Sequence, residues 1–292
     1  MNRKSFVKSL GALGALSLTS MTLLDLEKLS ETLQKSERMP ALFVGHGNPI
    51  NAILKNEFSQ EWRNVGARLK PQMILCISAH WESQGTFVTG ETSPKTIHDF
   101  GGFPQALFDV QYPVPGSPEL AKTIQQTITE PAVHLTDKWG LDHGSWSVLI
   151  QMFPEANIPV LQMSLDRNLS PQQMYDLGKQ LSFLRDRGVL VVGSGNIVHN
   201  LRYANLREAN PKPYDWAIEF DNQVKHLLDS RDHQSLINFK KLGNAANMSI
   251  PTDEHYIPML YILGLQGKNE QIQYFNDSIA FGSGSMRSFV VT

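Results

Sequence analysis

Short, uninterrupted apolar runs alternate along the chain with longer segments in which apolar residues recur every three or four positions. The runs, among them ALFVG, MILCISA and VLVVG, predict strands at 41–45, 73–79, 86–90, 159–165, 189–193 and 286–291. The helical period predicts helices at 51–69, 118–128, 146–153, 171–187, 214–229 and 253–263. Strands that are apolar throughout, rather than at every second residue, suit a sheet covered on both faces. The expectation is an α/β fold: a single domain with a largely parallel or mixed central sheet flanked by helices. Ser117-Pro118 and Ser170-Pro171 read as a helix N-cap followed by a first-turn proline. Two stretches, 95–117 and 203–213, read as ordered loops, and loops that long in a compact domain are often functional.

The N-terminal stretch breaks this pattern. Arg3, Lys4 and Lys8 lead into a charge-free run at 10–24, the layout of an export signal. The opening NRKSFVK resembles a twin-arginine signal with Lys4 in place of the second arginine. Residues 1–38 are therefore expected to be an N-terminal extension, either directing export to the periplasm or staying attached to a cytoplasmic protein. The domain proper is expected at 39–292. The apolar run is shorter than the roughly 20 residues a bilayer requires, so no stable membrane span is expected. With 41% hydrophobic and 18% charged residues in 292, the chain can bury a sizeable core. A net charge of -2 argues against nucleic acid as a partner. The single cysteine, Cys76, sits inside an apolar run and reads as a buried small hydrophobe. Oligomeric state leaves no mark in the sequence.

The nine histidines carry the candidate chemistry. His46, in GHGNP, His80, in SAHW, and His199, in GSGNIVHN, each follow a predicted strand. Ligands bind α/β sheets beyond the carboxyl ends of the strands, so the three could converge on one crevice. His143, in GLDHGSW, and His255, in DEHYIP, have comparable settings. Neutral imidazole is the commonest protein metal ligand, and the reading is a single divalent metal at the strand ends. A lone histidine near a strand end is more often structural, and no HExxH or CxxC motif is present to decide the matter. His134, His226 and His233 are expected to be exposed. His98, in a Gly-rich loop, would line a pocket or cap a turn. No nucleophile-elbow motif accompanies Ser145 or Ser194, which argues against a serine hydrolase.

Six segments in order, GHGNP, SAHW, TIHDFGGFPQALFDVQYPVPGSP, WGLDHGSW, GSGNIVHNLR and PTDEHYIPMLYILG, carry a family resemblance. They resemble the DODA-type extradiol aromatic ring-opening dioxygenases, the 4,5-DOPA dioxygenase extradiol family, in the superfamily of the protocatechuate 4,5-dioxygenase β subunit. The resemblance runs from Met39 to Thr292. It implies a metal-dependent enzyme that opens a catechol such as DOPA with O2 to give a semialdehyde. His46, His80 and His255 would be metal ligands, with Glu254 an alternative to His255. His199 would be a further ligand or an acid/base residue, and His143 the acid/base histidine of the substrate pocket. His98 and Asp99 would contact the substrate from the Gly-rich loop, or else form a purely structural turn. Fe(II) is what the chemistry requires, while Zn2+ suits an all-histidine site but is redox-inert. A zinc-dependent hydrolase on the same site, or a non-catalytic binding protein with this fold, are the alternatives.

Overall fold

The structure is a computed structural model and describes residues 37–208 and 210–292. The export-type pattern at 3–24 lies outside the described residues. Among the described residues ten strands form: β1 Ala41–Gly45, β2 Met73–Ser83, β3 Thr86–Thr89, β4 Val133–Thr136, β5 Val160–Asp166, β6 Val189–Gly195, β7 Ile272–Phe275, β8 Ile279–Ala280, β9 Gly284–Ser285 and β10 Ser288–Val291. The α-helices are α1 Glu57–Ala67, α2 Gln105–Phe108, α3 Pro118–Thr127, α4 His143–Met152, α5 Pro171–Gln180, α6 Asp215–Asp229, α7 His233–Ile237, α8 Asn244–Ser249 and α9 Ile257–Leu265.

Eight strands make one sheet in the order β4-β3-β5-β2-β6-β1-β10-β7. Its middle, β5-β2-β6-β1, is parallel. Antiparallel pairs join β3 to β5, β1 to β10 and β10 to β7. The sheet is therefore mixed, with the carboxyl ends of β1, β2 and β6 side by side on one edge.

Side chains alternate across the pleat, so each central strand feeds two cores. Phe43, Leu75, Ile77 and Val191 face one layer, where they pack with α5, α6 and α9. Leu42, Val44, Ile74, Cys76 and Val192 face the other, against Trp62 of α1 and Trp146 of α4. Burial raises the Cys76 thiol to about 12, which keeps it an inert hydrophobe. Every residue of α9 is buried, as expected of a helix that is apolar all round. A buried ion pair, Arg287 just before β10 with Asp221 of α6 at 2.6 Å, fastens the entry of that strand to the helix.

Several expected boundaries move for local reasons. The helix expected at 51–69 splits: Pro49–Ala52 forms a 3-10 turn, and a capping box of Asn56 with Ser59 restarts the chain as α1. The helix expected at 146–153 begins at His143, because Asp142 caps it. The strand expected at 73–79 runs on to Ser83, past His80. His233 is half-buried rather than exposed, held by the Tyr175 hydroxyl at 2.9 Å and Gln266 at 3.0 Å. His134 and His226 are exposed as expected. Among the described residues no helix is long and apolar enough to cross a membrane.

Candidate metal centre and active site

His46 leaves the end of β1, and β6 lies between β1 and β2. On β2 the register against β5 shifts between Ile77 and Glu82. Such an irregularity re-aims side chains, and here it falls at His80. The Nε2 atoms of His46 and His80 come within 3.2 Å. His255 reaches the same spot from the turn before α9. That turn presses on the end of β6, where the Asn196 N–H donates to the His255 carbonyl at 2.8 Å. Only a glycine fits beneath it, since a Cβ on Gly195 would lie 2.1 Å from that oxygen. One ligating nitrogen from each of His46, His80 and His255 lies within 4.8 Å of the others.

Hydrogen bonds fix the tautomers of two of these rings. The Ser194 hydroxyl donates to the Gly144 carbonyl, so it must accept from His46 Nδ1 at 3.0 Å. The Glu254 carboxylate accepts from His255 Nδ1 at 2.9 Å. Both rings therefore turn a lone pair on Nε2 inward. Burial pulls His46 and His255 well below the ordinary histidine range, and brings His80 down to about 3. All three are neutral imidazoles at physiological pH, the form that binds a metal.

His143 is placed by a separate knot of buried polar groups. Asp142 accepts from the Ser145 N–H at 3.1 Å, from the Ser78 hydroxyl of β2 at 2.7 Å, and from the Gln162 amide of β5. One carboxylate thus ties two strands to the start of α4, and burial raises its pKa. The Asp99 carboxylate accepts from both the backbone N–H and Nδ1 of His143, each at 2.9 Å. Burial pushes the Asp99 carboxyl up, but the His143 contacts outweigh it and hold it below the usual range. The pairing leaves His143 Nε2 free to accept a proton. The His143 ring lies 3.8 Å from the His80 ring, centre to centre.

His199 sits on the far side. It stacks on His255 with centroids 3.4 Å apart, and its neighbouring ligating groups are Glu254 and His255 rather than His46 and His80. Burial lowers it to about 4. All five site histidines line one cavity of about 450 Å3. His98 does not line it; its Nε2 bonds the Val110 carbonyl at 3.0 Å, the turn-holding role. The supporting residues Asp142, Ser78 and Gln162 were not singled out in the sequence. Only Asp142 had a signal there, as an N-cap followed three positions later by Ser145.

Three neutral imidazoles with one nitrogen each turned to one point, two of them with the lone pair there fixed by hydrogen bonds, fit a single metal ion. A histidine with an oriented, free Nε2 stands next to them. That combination has the parts needed to hold a ligand on a metal and to move a proton beside it.

The comparisons with known proteins agree with this chemistry. Residues 41–284 match the family described as the catalytic LigB subunit of aromatic ring-opening dioxygenase. The chain is 43% identical over 265 residues to an Escherichia coli protein named 4,5-DOPA dioxygenase extradiol, covering 89% of this chain and 97% of that one. A protein of the same name from Mirabilis jalapa is 36% identical over 244 residues, covering 82% and 91%. The crystal structure of an uncharacterized Escherichia coli K12 protein superposes with a TM-score of 0.77 at 38% identity, covering 87% of this chain and all of that one. Sequence, fold and site agree, and the chain belongs to the LigB family as an extradiol aromatic ring-opening dioxygenase.

Proposed function

We propose that the enzyme opens the ring of a catechol, such as DOPA, with O2, on one divalent metal held by His46, His80 and His255. The observation that carries this reading is the convergence of their three inward nitrogens on a cavity that also exposes His143. The names of the relatives support the choice of DOPA as first substrate. Bound Fe(II) would supply the one-electron chemistry that lets a catechol react with O2, which zinc does not.

The chain's own residues then have defined tasks. His143 Nε2 takes a proton from a catechol hydroxyl, and Asp99 steadies the resulting imidazolium through Nδ1. Asp142 keeps His143 in place by capping α4. His143 gives that proton back as the ring opens, and His199, on the other side of His255 in the same cavity, is the second imidazole that can carry it. Glu254 is the outer partner of His255 and orients it, rather than replacing it.

The test is O2 uptake and near-visible absorbance when L-DOPA or another catechol is added to anaerobically Fe(II)-loaded protein, beside a zinc-loaded control. Stoichiometric uptake with a new ring-opened chromophore, in the iron form alone, is expected. No uptake across a panel of catechols at verified metal occupancy would overturn the reading.

A further inference from the structure

We infer that Asn48 is a specificity-determining residue of the catechol pocket, its Nδ2 amide donating to a carboxylate carried on the ring substituent. The inference rests on the catechol reading above and deepens it. DOPA, the first substrate proposed there, carries such a group.

The other polar side chains on the cavity wall are committed. His46, His80 and His255 belong to the candidate metal, and His143 Nε2 faces a catechol hydroxyl as acceptor. Glu254 takes His255 Nδ1 at 2.9 Å and the Thr252 hydroxyl at 3.0 Å. Asn196 donates to the Ser285 carbonyl at 2.7 Å, and Ser283 donates to the Asn200 carbonyl at 2.9 Å; both residues are buried. His199 is the second imidazole of the proton transfer. Asn48, half-buried on the same wall, remains.

Its setting presents a donor to the ligand. Asn48 Oδ1 accepts from the Ile50 N–H at 3.0 Å and so caps the 3-10 turn Pro49–Ala52. With the oxygen committed, the NH2 end of the amide is the free end, and no described residue accepts from it. The catechol oxygens are turned to the metal and to His143, so this donor serves the other end of the ligand. The wall there is largely apolar, with Phe100, Phe103, Leu206 and Phe281, and no lysine or arginine lines it. In such surroundings a hydrogen bond to a carboxylate is stronger than in water, and a ligand lacking the acceptor leaves the amide unpaired.

The test is calorimetric binding of catechols to the zinc-loaded protein, in which nothing turns over. L-DOPA and 3-(3,4-dihydroxyphenyl)propanoate carry the carboxylate; 4-propylcatechol and dopamine do not. Asn48→Asp keeps a cap for the Ile50 N–H and replaces the donor with an acceptor. It should weaken both carboxylate probes by about 10–100-fold, the worth of a hydrogen bond to a charged group, while 4-propylcatechol stays within about twofold. Dopamine, with an ammonium instead, should bind no more weakly than before. Asn48→Ser also caps the turn but is too short to reach the ligand, and it should show the same split without a new carboxylate near the metal. Zinc content is measured in each variant. An equal loss on every probe would assign Asn48 a structural role through His46 and overturn the inference, as would carboxylate probes unaffected by both variants. If no catechol binds the unaltered protein, the catechol reading falls and the inference with it. If the split is seen but the Fe(II) form opens none of these catechols in air, the inference stands and the dioxygenase mechanism falls.

Discussion

Gly195→Ala is the sharpest test of how the fold places its third imidazole. The added Cβ would lie 2.1 Å from the His255 carbonyl, well inside van der Waals contact. The obstacle is backbone, so the turn carrying His255 has to move. Overpacking of this kind costs about 1–3 kcal/mol. The hydrogen bond from Asn196 N–H to the same carbonyl is strained with it, adding about 1 kcal/mol. The expected loss is about 2–4 kcal/mol, or a Tm lower by about 5–10 °C. Because the moving segment holds a candidate ligand, metal affinity should fall by about 10–100-fold. Competition against a chromophoric chelator for Zn2+ reads the affinity, and circular dichroism melting of the metal-free protein reads the stability. Gly66→Ala is the matched control, with a Cβ 2.2 Å from the Met152 carbonyl between α1 and α4. It should lose similar stability and keep its metal. Unchanged zinc affinity in Gly195→Ala, or an equal loss in both variants, would refute the coupling between β6 and His255.

His143→Ala should retain metal binding by chelator competition but open catechol about a hundred- to ten-thousandfold more slowly, the usual contribution of an acid/base residue. Asp221→Ala takes from the buried Arg287 guanidinium the carboxylate it bonds at 2.6 Å and 3.0 Å and leaves only the exposed Asp277 at 3.7 Å. The cost should be about 3–5 kcal/mol in chemical denaturation, with the metal site intact. Metal-free protein should lose stability in acid from a specific window. Burial first of all depresses His46, His80, His199 and His255 in the folded state, so below about 6.5 the unfolded chain takes up protons that the folded chain refuses. Stability should be level above that pH and fall as pH drops toward about 4, where His199 protonates, and about 3, where His80 does. Each group contributes a slope of up to about 1.4 kcal/mol per pH unit, measured by urea titrations at stepped pH.

Strand position alone grouped His46 and His80 with His199, and it took the family resemblance to group them with His255 instead. GHGNP and SAHW were visible as strand exits, yet their meeting depends on β6 entering between β1 and β2, which no local pattern encodes. His199 looked equivalent to His46 in sequence. In the fold it stacks on His255 and keeps different neighbours, because its strand ends four residues earlier. The strands β4 (VHLT) and β7 (IQYF) went unread, being 4 residues each with polar residues in every run. Their period is too short to register, and pairing with the sheet decides them. Ser78 and Gln162, buried under Asp142, were hidden inside apolar runs where polar residues read as interruptions. The order of the elements and both apolar layers were legible because burial on two faces leaves a continuous signature.

The adjacency of β1, β6 and β2 also says when in folding the metal can first be held. His46 and His80 lie 34 positions apart, and His255 comes near the other end of the chain. No short fragment contains the three, and none of them approaches another before the parallel middle of the sheet has zipped. In a zinc finger the ligands are close neighbours, and the ion drives the folding of an otherwise unstructured peptide. With candidate ligands this far apart in the chain, the ion is expected to arrive last, as a seal on a finished architecture. Metal uptake is therefore a clock for completion: in a refolding experiment it should trail the recovery of sheet structure, and a chain stalled before α9 docks would carry none.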